Sequence, residues 1–327
     1  MELEFPSIPL EVRPWKILRT SIHTFLQNYQ YFTISALLAL PFSLANLLSQ
    51  TLVPFSPLLP KIHLHLQPLF HASNFPLSPK LFSILTLTLS RTLTSSILVL
   101  PFSLSFLLIA KTSIIQILSL QKPPLQPSFS SFLSIYNPIL LTQICNLFLI
   151  LSVNATCFSL LFLAFNFLEG LGYSSPASLL SLFATGFILY SLILANTIVT
   201  CNLALVSSGV EKYAGVFAIL KACVLIRGRA ATALAVAVPV NIALGGVEAL
   251  FQYRVVRAYN EASSFEGFMG LEGFFVAYLY SIVVVIETIV SCELFKRCRS
   301  AFRVGNEEGR YFYWIEAGNV KNLEVLP

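Results

Sequence analysis

Six long apolar runs, at residues 32–52, 92–110, 141–161, 179–203, 230–250 and 274–294, alternate along the chain with short polar segments. Each run can cross a ~30 Å hydrocarbon layer as a helix of roughly 17–25 residues. Backbone groups in lipid must be satisfied within the segment, so a helix is the element such a run forms. The pattern predicts an all-α fold, a polytopic membrane helix bundle with six transmembrane helices.

The polar segments ahead of the first, third and fifth runs carry a helical period of their own. Trp15, Leu18, Ile22 and Phe25 fall on one face and Lys16, Arg19, His23 and Gln27 on another, with Pro14 at the start. Such a helix lies in the membrane interface. Phe129, Phe132, Leu133 and Tyr136 repeat the spacing after a Pro-rich linker at 122–127, with Ser128, Ser130, Ser131 and Ser134 between them. Residues 211–226 give a third, weaker instance, with Lys212 and Lys221 nine residues apart and so on opposite sides. The predicted organisation is three units, each a cytosolic interfacial amphipathic helix followed by a transmembrane hairpin. They form a single integral membrane domain over 1–327: a cytosolic amphipathic N-terminal segment at 1–30, a six-span bundle at 32–294 and a cytosolic basic tail at 295–327.

Leu38-Ala39-Leu40-Pro41-Phe42-Ser43-Leu44 in the first run recurs as Leu98-Val99-Leu100-Pro101-Phe102-Ser103-Leu104 in the second. In so Leu-, Ser- and Phe-rich a chain, compositional bias accounts for the match as well as duplication does. Pro41, Pro101 and Pro239 each remove a backbone donor within a run, so kinks are expected at those depths.

Composition agrees with the membrane assignment: 56% of residues are hydrophobic and 11% charged, against roughly 25% charged in a soluble domain. The net charge of +5 does not mark nucleic-acid binding, because the cations are scattered between runs and no RNA-recognition motif occurs. Fifteen Lys and Arg fall at the N-terminus, the second and fourth loops and the C-terminus, against five in the other loops. The positive-inside bias therefore predicts cytosolic N- and C-termini and extracytosolic loops at 55–80 and 252–272. Met1-Glu2-Leu3-Glu4 and the basic stretch after it do not read as a cleavable signal, so the first run is expected to be a retained anchor. The sequon Asn154-Ala155-Thr156 lies inside the third run and is expected to stay unmodified.

Catalytic motifs are scarce. The chain has 15 Glu and no Asp, which excludes an aspartyl-phosphate pump, an intramembrane aspartyl protease and the Asp-held magnesium of a P-loop ATPase. Neither a P-loop, H-E-x-x-H nor G-x-S-x-G occurs, so enzyme is the least favoured class and no catalytic residue or cofactor is expected. His63, His65 and His71 share the first extracytosolic loop. His63 and His65 would share a face if extended, but with no carboxylate or Cys to complete a set, no metal site is expected. The six Cys form no C-x-x-C pair. Cys292 and Cys298 straddle the cytosolic end of the last run, a place for palmitoylation, although burial is the commoner state of a free Cys.

Charged residues in lipid cost about 2.5–3.5 kcal/mol each on insertion scales, which makes them candidate sites. Glu287 is the deepest carboxylate, with Asn241 at comparable depth in the adjacent run. Glu248 lies near the outer end, level with Arg91, which is expected at the outer interface and paired with it. The fifth run is rich in Ala231, Ala233, Ala235, Ala237, Ala243, Gly245 and Gly246, so it is expected to be the central packing helix.

The stretch Asn202-Leu203-Ala204-Leu205-Val206-Ser207-Ser208-Gly209-Val210-Glu211, followed by Gly215 and Lys221 and by a basic tail after the last run, resembles a plant family of six-span membrane proteins. Its members are labelled polyadenylate-binding-protein-binding protein or simply transmembrane protein. The shared pattern is N-L-A-x-V-x-S-x-x-E; Leu205 at its variable position and Arg299-Ser300 after Cys298, where Lys-Ser is usual, are mild departures. The resemblance implies a plant endomembrane or plasma-membrane protein and transfers no catalytic residue. The expected role is that of a membrane-resident interaction or organising protein, embedded in the bilayer and meeting protein partners at its cytosolic helices and tail. The alternative is a transporter or channel for a small solute or ion using Glu287.

Overall fold

A computed structural model describes residues 14–72, 79–119, 129–170, 176–211, 213–257 and 267–323. Its α-helices are α1 (Pro14–Gln27), α2 (Tyr29–Leu52), α3 (Leu58–Ala72), α4 (Pro79–Phe102), α5 (Leu108–Ser119), α6 (Phe129–Gly170), α7 (Pro176–Glu211), α8 (Val216–Ile226), α9 (Ala230–Phe251) and α10 (Gly267–Leu323). No strand occurs among the described residues. Six helical stretches are long and apolar enough to cross a membrane: Tyr29–Ser49, Thr86–Ser119, Phe132–Leu161, Ala184–Glu211, Ala230–Val256 and Gly270–Ser300. The chain is an all-α, multi-pass membrane protein.

Hydroxyls inside these helices find partners on their own helix, as a hydrocarbon surround demands. Thr94 Oγ1 donates to the Ser90 carbonyl at 2.7 Å and Thr112 Oγ1 to that of Leu108 at 2.7 Å. Hydroxyls also bond across helices, as where Ser281 Oγ donates to Ser43 Oγ at 2.8 Å and where Ser49 and Ser95 share a bond of 2.7 Å. Between helices in lipid, such bonds and close packing replace the hydrophobic effect as the source of cohesion.

The repeated heptapeptide folds in two ways. Around Pro41 the α-helix continues, whereas Pro101 is followed by a π-helical turn, Ser103–Leu107, that joins α4 to α5. There Ser105 Oγ donates to the Pro101 carbonyl at 2.7 Å and Tyr136 OH to that of Leu104 at 3.3 Å. Side chains thus serve carbonyls near the interrupted ladder. The second span consequently runs from Thr86 to Ser119. It opens six residues before the expected Thr92 and includes Lys111, which stands just past the expected run at 92–110.

Three further expectations are corrected. The interfacial helix foreseen at 129–136 is not separate: it forms the first turns of α6, a continuous helix of 42 residues, and the linker 122–127 before it lies outside the described residues. The segment 55–80, expected as a loop, contains the helix α3, packed on α4. Nor is α9 the central helix. That place belongs to α10, which packs against α1, α2, α5, α7, α8 and α9, while Gly245 and Gly246 of α9 have no neighbour within 4 Å of where a Cβ would stand.

One end of the bundle gathers α1, α8 and residues 292–300 of α10. Ile17, Ala218, Ala222, Leu225, Phe295 and Cys298 are buried together there. The side of α1 buried deepest is not the expected apolar face: Ile17 and Ser21 are buried, while Trp15 is 73% and Ile22 43% exposed and Leu18 and Phe25 are half-buried. Gly215, with φ +65°, opens α8 and donates its N–H to Thr142 Oγ1 at 3.0 Å. Only a residue without Cβ takes that conformation cheaply, so α8 can turn back under α6 at once after α7 ends.

Candidate functional site

Lys111 of α5, Asn202 of α7 and Glu287 of α10 meet where three spans converge. Asn202 Nδ2 donates to Glu287 Oε1 at 2.8 Å, and Lys111 Nζ donates to Asn202 Oδ1 at 3.4 Å. The amide thereby presents its N–H to the anion and its oxygen to the cation, the one orientation that suits both. All three side chains are half-buried. Opposite charges joined through a shared dipole offset part of the desolvation that each would suffer alone in lipid.

Asn202 and Glu287 also separate two small cavities. The larger, about 20 Å³, lies between α7, α9 and α10 and is reached by Asn241 and Ser291. The smaller, about 10 Å³, lies between α5, α7 and α10 and is reached by Lys111, Thr288 and Ser291. A cavity needs roughly 10–15 Å³ to take one water, so these have room for a water or two and not for an organic solute. Asn241 lines the larger cavity with Glu287 as depth predicted. Its Nδ2 donates, however, to the Ala237 carbonyl of its own helix at 3.0 Å, and the amide bonded to Glu287 is that of Asn202.

Glu248 belongs to a second cluster. Its Oε1 accepts from Tyr280 OH at 3.1 Å and from Asn46 Nδ2 at 3.3 Å, and Asn46 also donates to Tyr280 OH at 3.1 Å. The expected pairing of Glu248 with Arg91 is therefore corrected. Arg91 is exposed on α4, which packs against α2 and α3, and lies one turn beyond Ser95, the residue bonded to Ser49. Its position within the Thr86–Ser119 span follows from the earlier start of that helix.

A third polar knot closes the α1 end. Glu211, the last residue of α7, pairs with Lys221 of α8 and with Arg299 Nε at 3.2 Å. The side chain of Glu211 is only 9% exposed, so this carboxylate ties three helices together from a nearly dry position.

His63 approaches Ser90 Oγ through Nδ1 at 3.4 Å. Because α3 is a helix, residues two apart diverge and His65 does not share that face; the side chain of His71 lies outside the described residues. Among the described residues no three His, Cys, Asp or Glu are grouped to hold a metal ion. Cys292 and Cys298 are both buried, which agrees with packing and leaves neither thiol open to lipidation in this state.

Glu287, Glu248 and Asn241 are expected from the sequence as candidates; the structure adds Lys111, Asn202, Asn46 and Tyr280 as polar neighbours of the two carboxylates. Asn202 stood inside the N-L-A-x-V-x-S-x-x-E stretch, and Lys111 is followed by Ile114, Ile115, Ile117 and Leu118. That renewed apolar run was the signal that the span continued past the charge.

No curated protein and no solved structure matches the chain. A family model matches residues 12–305, a stretch that takes in α1, all six spans and the three polar clusters. On that coverage the chain belongs to the family described as Domain of unknown function (DUF8558).

Proposed function

We propose that this protein is a membrane-resident organising protein: a fixed six-span bundle that holds α1, α8 and the end of α10 at one membrane face as a contact surface. The observation that carries the reading is the way the central polar groups satisfy one another beside cavities of only one or two waters' size. Glu287, the carboxylate most suited to moving an ion, is bonded to Asn202 and balanced by Lys111, beside cavities of about 20 and 10 Å³. A transport path needs a polar route wide enough for its cargo. Groups that satisfy one another in a packed site serve helix association instead.

The charge bias assigns that face to the cytosol, and the resemblance to the plant six-span family supports an endomembrane or plasma-membrane location. Partners at α1, α8 and the tail belong to the same proposal, as does a non-enzymatic role, supported by a chain with no Asp.

A second reading has its own observation. Asn202, Glu287 and Ser291 line both cavities, so a rotation of α7 against α10 would join them into one polar passage for a proton or small cation. Purified protein in sealed liposomes separates the two. The organising role predicts ion and proton flux no greater than in protein-free vesicles. Flux in the wild type that a well-folded Glu287→Gln protein lacks would promote the transporter and sink the organising role.

A further inference from the structure

Among the described residues, the α1 end carries more positive charge than its carboxylates balance. Lys221 and Arg299 pair with Glu211, and Lys296 pairs with Glu293 at 3.0 Å. Lys16, Arg19, Arg227, Arg229 and Arg297 have no carboxylate within ion-pair distance among the described residues. Two of these guanidiniums are half-buried and held in place at the seam of α1, α9 and α10. Arg229 Nη1 donates to the Cys298 carbonyl at 3.5 Å and Arg297 Nη2 to Thr20 Oγ1 at 3.4 Å. Each uses one of its five donors in these bonds, which fixes the fork and leaves its other N–H groups for an anion.

Apolar side chains lie beside these charges. Trp15 and Leu26 of α1, and Phe217 and Leu220 of α8, are 73%, 64%, 74% and 56% exposed. Short helices with one apolar face on the protein and another turned outward belong where acyl chains begin, and an exposed Trp favours the headgroup level. Cations and apolar faces at one depth match a molecule that is anionic at its head and apolar behind it.

From this we infer that the seam is a binding site for an anionic phospholipid. Arg229 and Arg297 hold the headgroup phosphate, while the exposed Lys16, Arg19 and Arg227 add attraction around it. The acyl chains lie along the outward faces of α1 and α8. Arginine meets phosphate through paired N–H donors, and basic clusters next to spans attract acidic lipids. The inference requires the membrane assignment but not the organising role, so flux measurements leave it standing.

The test uses the full chain in nanodiscs of phosphatidylcholine alone or mixed with phosphatidylserine or phosphatidylinositol, read by thermal midpoint and by lipid retained in native mass spectrometry. Wild type is expected to unfold at a higher temperature with anionic lipid present and to retain it in preference to phosphatidylcholine. The variant K16Q/R19Q/R227Q alters only exposed side chains; its midpoint in phosphatidylcholine should match wild type while the anionic preference falls. R229Q/R297Q should abolish the preference. Equal retention of both lipid classes by wild type, or wild-type selectivity in either variant, overturns the inference. So does inorganic phosphate that raises the midpoint in phosphatidylcholine as much as anionic lipid does, because the site would then recognise a soluble anion.

Discussion

Asn202 donates to the Glu287 carboxylate at 2.8 Å, and with its other end it accepts from Lys111. Three spans are therefore held by a polar bridge in which neither charge meets lipid without compensation. Asn202→Leu removes both bonds and leaves the cation and the anion unbridged. We expect a loss of about 1–3 kcal/mol of stability, measured by thermal or denaturant unfolding in a defined detergent. Glu287→Gln keeps an acceptor for Asn202 and should cost no more than about 1 kcal/mol. In a double-mutant cycle, Lys111→Met and Glu287→Gln together should cost less than the sum of the two by roughly 0.5–1 kcal/mol. Strict additivity would show that the two charges do not sense each other.

Gly209 is a packing requirement. A Cβ there would stand 2.7 Å from Ile115 Cγ2 and 3.0 Å from Ile139 Cδ1, at the contact of α7 with α5 and α6. Gly209→Ala should destabilise by about 1–3 kcal/mol through overpacking. Ile115→Ala in the same protein should recover part of the loss, and a Gly209→Ala protein as stable as wild type would place the three helices farther apart.

Glu211 anchors α8. Glu211→Gln removes the charge that holds Lys221 and Arg299, both about a third exposed. Solvent screening limits the cost to roughly 1–2 kcal/mol. The local effect should be larger than the global one: trypsin cleavage after Lys221 is expected to accelerate while the unfolding midpoint falls only modestly. Unchanged cleavage would mean that packing alone holds α8.

Thiol accessibility tests the packing around α10. A membrane-permeant maleimide should modify Cys223, which is exposed on α8, well before the buried Cys201, Cys292 and Cys298. Labelling or acylation of Cys292 or Cys298 in folded protein at the rate of Cys223 would contradict this arrangement.

Topology follows from the charge bias and has two readouts. Reporters fused to either terminus should be accessible from the cytosol, and Asn154 should carry no glycan. Its Oδ1 accepts from Tyr190 OH at 3.1 Å within the α6–α7 pair. A glycan on Asn154, or a C-terminal reporter accessible only from the opposite side, would refute the assignment.

The sequence by itself determined that six helices cross a membrane, because the cost of burying backbone and side chains in lipid is close to a sum over local composition. Every expected run lies within, or largely overlaps, an observed span. The same local logic misjudged Lys111, since one cation ended an apolar window that the helix itself continues. It also could not distinguish Pro41 from Pro101, whose flanking residues nearly repeat; the π turn after Pro101 accompanies a hydrogen bond from Tyr136, which is 32 residues from the Leu104 carbonyl it meets. Only the tertiary structure decided that α10 and not α9 is central, and that Glu287 faces Asn202 and Glu248 faces Asn46 and Tyr280. Those pairings depend on the rotation and depth of each helix against its neighbours. These are set jointly by the packing of several spans, so no single span encodes them in its own residues.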